Sequence, residues 1–82
     1  MKLTWSEEAW DDYLYRQETD KRMVKRINDL IKDIRRTPFE GKPEPLKHHL
    51  SGFWSRRITE KHRFVYAVTE NSLLIAACRY RY

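Results

Sequence analysis

The chain has 82 residues, with 17 Lys/Arg against 12 Asp/Glu and a net charge of +5. That length holds one domain with a small core, and 40% apolar residues with charges of mixed sign exclude a disordered chain. No apolar run approaches the ~18–20 residues that span a membrane, no basic-apolar-small leader opens the chain, and the one cysteine, Cys78, excludes an internal disulfide, so a cytoplasmic protein without membrane contact is expected.

Lys2-Leu3-Thr4-Trp5 reads as a short edge strand. Ser6 then caps a helix of about three turns, with Glu7 and Glu8 where the helix dipole favours negative charge. Trp5 and Trp10 stand at the spacing of a hydrophobic staple, and Trp10, Tyr13 and Leu14 follow at i, i+3 and i+4. Thr19 or Asp20 caps a second helix. Its stripe is Met23, Val24, Ile27, Leu30, Ile31 and Ile34, and it stops before Pro38, which disfavours helix at Thr37. The join is short, so the two helices form an antiparallel hairpin.

Phe39 to Ser51 has no apolar period and reads as a loop with extended backbone around Pro43 and Pro45. Strands follow at Phe53 to Thr59, Arg63 to Val68 and Leu73 to Cys78, joined by turns at Glu60-Lys61-His62 and Glu70-Asn71. The last strand is apolar on both faces and is expected to be central. The order β-α-α-β-β-β predicts an α+β protein, a twisted and mostly antiparallel sheet with two N-terminal helices on one face.

The charge is segregated. Residues 1–34 carry a net −1 and residues 64–82 a net +1, while residues 35–63 carry +5 and all three histidines. Such a block suits a polyanionic partner, because phosphate pairing with counterion release supplies much of nucleic-acid affinity. No zinc spacing, Gly-rich phosphate loop or nucleophile elbow is present, and no metal or cofactor is expected. What remains is Glu44, Lys47, His48, His49, Arg56, Arg57, His62, Arg63, Arg79, Tyr80, Arg81 and Tyr82. A metal-free set of this kind can cleave RNA: a base takes the 2′-hydroxyl proton, cations stabilise the phosphorane, and an acid protonates the leaving 5′-oxygen. From the residues themselves the reading stops at a small basic α+β domain that binds nucleic acid.

Several runs carry a resemblance over essentially the whole chain. They are Trp5-Ser6-Glu7-Glu8 with Trp10 to Leu14, Arg35 to Gly41, Pro43-Glu44-Pro45-Leu46-Lys47, Leu50 to Ile58, His62-Arg63 with Val65-Tyr66, and Cys78-Arg79-Tyr80. With them the chain resembles the YoeB family of toxins, within the RelE-like superfamily. The resemblance implies a RelE-like (microbial ribonuclease-like) fold and a ribosome-dependent mRNA endonuclease that cuts codons in the A site of the 70S ribosome. It also implies a YefM-like antitoxin partner, operator DNA reached through the antitoxin complex, and a homodimer.

The family's general base falls on Glu44, its phosphate-stabilising arginine on Arg63, a supporting lysine on Lys47 and its terminal tyrosine on Tyr82. The family's general-acid histidine falls on Arg81, which stays protonated (pKa above ~12) and is a poor proton donor. Lys61 stands where the family often has glutamate, and the loop before Pro43 is shorter than in close relatives. For RNA and ribosome contact the basic block offers Arg35, Arg36, Lys42, His48, His49, Arg56, Arg57 and Lys61. A catalytically weakened toxin that acts mainly by binding antitoxin or ribosome is the alternative that Arg81 raises.

Overall fold

A computed structural model describes residues 1–79 of the chain. Strand β1 is Lys2–Trp5, helix α1 Glu7–Thr19, helix α2 Lys21–Arg36, β2 Glu44–Pro45, β3 Trp54–Arg57, β4 Arg63–Val68 and β5 Ser72–Ala77, with a 3-10 turn at His48–Leu50. They form one five-stranded sheet in the order β1-β5-β4-β3-β2. Three pairs are antiparallel, and β1 runs parallel to β5 in the register Lys2 with Ser72 through Trp5 with Ile75.

Capping sets the helix ends. The Ser6 hydroxyl accepts from the Ala9 N–H at 3.1 Å and donates to the Ala76 carbonyl at 2.8 Å, so one side chain starts α1 and ties it to β5. Asp20 serves both helices. Its N–H donates to the Arg16 carbonyl and closes α1, while its carboxylate accepts from the Met23 N–H and opens α2. A single residue thus turns the hairpin. Thr37 ends α2, donating from its N–H and its hydroxyl to the Asp33 carbonyl.

The α2 stripe lies where its period puts it. Met23, Ile27, Ile31 and Ile34 are buried against Phe64, Tyr66, Leu73 and Ile75 of β4 and β5. Both helices therefore cover one face of the sheet. Helix α1 contributes Ala9 and half-buried Tyr13, whose hydroxyl donates to Asn28 of α2 at 2.6 Å. The staple forms, with Trp5 and Trp10 rings 5.4 Å apart, and Tyr13 joins both rings. Trp10, Leu14 and Tyr15 nonetheless stay exposed.

Two details refine the predicted topology. Glu44–Pro45 is a strand of its own, pairing with Ser55 and Trp54 at the sheet edge. Strand β5 is interior, flanked by β1 and β4 as its two apolar faces require, but the middle position belongs to β4. Among the described residues, no helix is long and apolar enough to cross a membrane.

Candidate active site

Alternation along the strands sorts the site residues between faces. Phe64 and Tyr66 point to the helices, so Arg63 and Val65 present themselves on the opposite face. Register carries that face across the sheet. Arg57 stands opposite Arg63, and Ser55 stands between Glu44 of β2 and Val65 of β4. Buried Ser55, Val65 and Ala77 make a small floor, with Glu44, Arg57 and Arg63 around it.

Glu44 and Arg63, 19 residues apart, meet here. Arg63 Nη1 donates to Glu44 Oε1 at 3.4 Å. The arginine side chain is 16% exposed and the glutamate 67%. A largely fixed cation thus sits beside a carboxylate open to solvent. Such a pair can serve as a proton-accepting base beside a phosphate-holding cation, since the exposed carboxylate is open to a hydroxyl and the arginine lies next to it.

The other candidates separate. Lys47 is exposed and leads into the 3-10 turn that carries exposed His48 and His49. Lys42 and His48 adopt left-handed backbone, with φ of 55° and 59°. Lys61 is exposed at the tip of the β3–β4 turn, and Arg57 is exposed at the end of β3. Arg35 donates to the Met1 carbonyl at 2.9 Å. Arg36 Nη2 lies 3.7 Å from Asp33. Arg56 turns away from the Glu44 face altogether. Its side chain is 14% exposed, and Nη1 donates to Asp33 Oδ2 at 2.8 Å. That hydrogen bond outweighs burial, the charges of Arg56 and Arg36 add to it, and the Asp33 carboxyl is held below the usual carboxylate range. The basic block therefore divides between surfaces instead of forming one patch. Arg81 and Tyr82, and Tyr80 before them, lie outside the described residues.

A second polar group flanks the site at the base of β4. Arg16 of α1 reaches His62 Nε2 at 3.1 Å, and Arg79 lies 4.0 Å from Asp12 of α1 and 5.0 Å from the centre of the Tyr15 ring. Arg79 is the last described residue, and this group ties it to α1. Sequence reasoning missed Arg16, Asp12 and Asp33. Their tertiary partners, His62, Arg79 and Arg56, are 46, 67 and 23 positions away, and no local spacing announces those contacts.

A groove of about 630 Å³ between α2 and the end of β3, lined by Arg26, Lys32, Arg36, Arg57 and Ile58 among others, excludes both Glu44 and Arg63. Among the described residues, no three His, Cys, Asp or Glu side chains gather where a metal ion could be held. Cys78 is buried, its thiol pushed up to about 12 by desolvation, and it donates to the Ala9 carbonyl as an inert packing group.

Two helices thus cover one face of a mixed sheet, and Glu44, Arg57 and Arg63 lie on the other. Residues 5–82 match the family described as the YoeB-like toxin of bacterial type II toxin–antitoxin systems. The chain is 82% identical to the toxin YoeB of Escherichia coli K12, each covered in full. It superposes on a YoeB/ParE toxin from Agrobacterium tumefaciens with a TM-score of 0.96 at 55% identity, again with both chains fully covered. The YoeB of Staphylococcus aureus, solved as a dimer, gives 0.93 at 49% identity over all of this chain and 98% of that one. A YoeB–YefM complex from Staphylococcus aureus gives 0.92 at 48% identity, with the same coverage. The chain belongs to the YoeB family and is the toxin of a type II toxin–antitoxin system.

Proposed function

We propose that this toxin is a ribosome-dependent endoribonuclease that cuts mRNA in the A site. The observation that carries the reading is the Glu44–Arg63 contact, a base and a phosphate-binding cation brought together on the helix-free face. Glu44 takes the proton from the ribose 2′-hydroxyl. The freed oxygen attacks the adjacent phosphorus, and Arg63, with Lys47 a few positions after Glu44, stabilises the charge on the phosphorane. The 5′-oxygen leaves as a hydroxyl and the new end is a cyclic phosphate. Tyr82 positions the substrate, and Arg81 holds charge where the family places a proton donor. Arg57, Lys61, Lys42, His48 and His49 supply exposed positive or titratable groups for RNA and ribosomal contact.

The partners follow from family membership. A YefM-like antitoxin holds the toxin inactive, operator DNA is reached through that complex, and a homodimer forms. The test is cleavage of mRNA on purified, programmed ribosomes, read by toeprinting. Glu44→Gln and Arg63→Ala each lose about 10²-fold or more of the rate of the parent chain. Parent-like cleavage by Glu44→Gln would overturn the assignment. A second reading is favoured by Arg81: a weakened enzyme that blocks the A site, in which case expression slows growth and leaves mRNA intact.

A further inference from the structure

Glu44 has little packing of its own. Its side chain is 67% exposed, and its contact with Arg63 is a long 3.4 Å. Its position must therefore come from the backbone of the loop that delivers it from α2. That loop is fastened at successive points. The Tyr66 hydroxyl donates to the Pro38 carbonyl at 3.3 Å, and the Phe39 ring packs edge-on against Trp54 at 5.2 Å.

The next point is Gly41, whose backbone lies against the Arg56 guanidinium. A Cβ built on Gly41 would fall 2.5 Å from Arg56 Nη2 and 2.6 Å from Cζ. Gly41 has φ of 81° and Lys42, following it, 55°. Two consecutive left-handed residues persist where the surroundings hold them. What holds Arg56 is Asp33, at 2.8 Å in the last turn of α2, and the carbonyl of the same Asp33 caps that helix through Thr37. Arg56 also follows Ser55, the strand partner of Glu44. The guanidinium thus wedges between the helix end, strand β3 and the loop, on the face of the sheet opposite the carboxylate.

From this geometry we propose that Arg56, clamped by Asp33 beneath Gly41, is a positioning residue for Glu44. The proposal rests on Glu44 being the base of the cleavage reaction. Arg56 touches no substrate; it sets the height and register of β2, and so the reach of the carboxylate. Displacing a reacting group by about 1 Å costs on the order of 10²-fold in rate, so a partial release of the clamp is expected to cost about tenfold.

The experiment measures cleavage on programmed ribosomes for Arg56→Gln and Asp33→Asn, in the chain as it stands and with Arg81→His, alongside Glu44→Ala and the Glu44→Ala/Arg56→Gln double variant. Expected are a kcat about tenfold lower for Arg56→Gln with KM within twofold, a loss in the same direction for Asp33→Asn, and no further loss from Arg56→Gln once Glu44 is absent. That silence is the signature of action through Glu44, since a merely structural role would lower both backgrounds alike. Arg56→Gln within twofold of the parent, or a loss that multiplies with that of Glu44→Ala, overturns the proposal and leaves the base assignment standing. Parent-like cleavage by Glu44→Ala, or none by the parent chain in either background, overturns both. If Arg56→Gln fails to fold by its thermal transition, Gly41→Ala drives the same contact from the loop side, and a folded Gly41→Ala with parent-like kcat overturns the proposal.

Discussion

Arg16 Nη2 lies 3.1 Å from Nε2 of His62, and an arginine can only donate. The imidazole therefore accepts at Nε2 and carries its proton at Nδ1, as a neutral ring. Burial depresses its affinity for a second proton, the charges of Arg16, Arg79 and Lys61 depress it further, and Asp12 opposes them. The folded pKa lies below the ordinary 6.5, so on acidification the unfolded chain binds this proton first. Stability from His62 is present above that value and is lost as pH falls below it. Urea midpoints taken between pH 7.5 and 5.5 should fall, and His62→Gln should flatten that slope. An unchanged slope in the variant would remove His62 from the account. Asp12 runs the other way at lower pH. Burial raises its carboxyl above 3.8, the native state binds that proton first, and its contribution grows as pH drops into the carboxylate range.

Ser6 makes two bonds with one hydroxyl, to Ala9 within α1 and to Ala76 of β5. Ser6→Ala leaves a helix N–H and a strand carbonyl without that partner, and should cost about 1–2 kcal/mol. The thermal midpoint of so small a domain should drop by roughly 4–8 °C per kcal/mol. Thermal denaturation followed by circular dichroism checks this, and a drop below about 2 °C would mean water replaces the hydroxyl on both sides.

Arg81→His places an imidazole donor where the resemblance to the family expects the general acid. A positioned general acid contributes about 10²–10⁴-fold, so cleavage on programmed ribosomes should rise by about 10²-fold or more, and toeprint signals at A-site codons should sharpen. No rise would show that a solvent proton already suffices for the leaving oxygen.

Tyr66→Phe removes the bond to Pro38 and keeps the ring in the core. At 3.3 Å that bond is long, so the stability loss should fall at the low end of about 0.5–1.5 kcal/mol. Because Arg56 and Trp54 still hold the loop, cleavage should fall less than with Arg56→Gln. A larger loss would make Pro38 the main fastening of the loop.

Much of the fold was legible because its causes are local. Ser6 and Asp20 announce helix starts, the α2 stripe repeats at threes and fours, and Arg63–Val68 has the composition of a strand and is one. Strand β2 was not legible. It has two residues, one of them proline, and exists because β3 lies alongside it. The exposure of Trp10 and Leu14 was equally hidden, since their spacing states that they share a face and not what covers it. At the site, the roles of Glu44 and Arg63 came from resemblance, and their meeting required the register of three strands. The charge block misled in one respect. Eight cations in 29 residues look like one surface, but alternation along β3 sends Arg56 to the helices and Arg57 to the other face.

The parallel pairing of β1 with β5 joins Lys2 to Ser72 and Trp5 to Ile75, and Ser6 reaches Ala76. Seventy positions separate Lys2 from Ser72, so β1 has no strand to join until β5 is in place. This pairing is the longest-range one of the sheet and carries the largest loop-closure cost, whereas Glu44 and Arg63 meet through neighbouring strands. Until it forms, one edge of β5 stands open to other chains, and the pairing with β1 is what closes that edge.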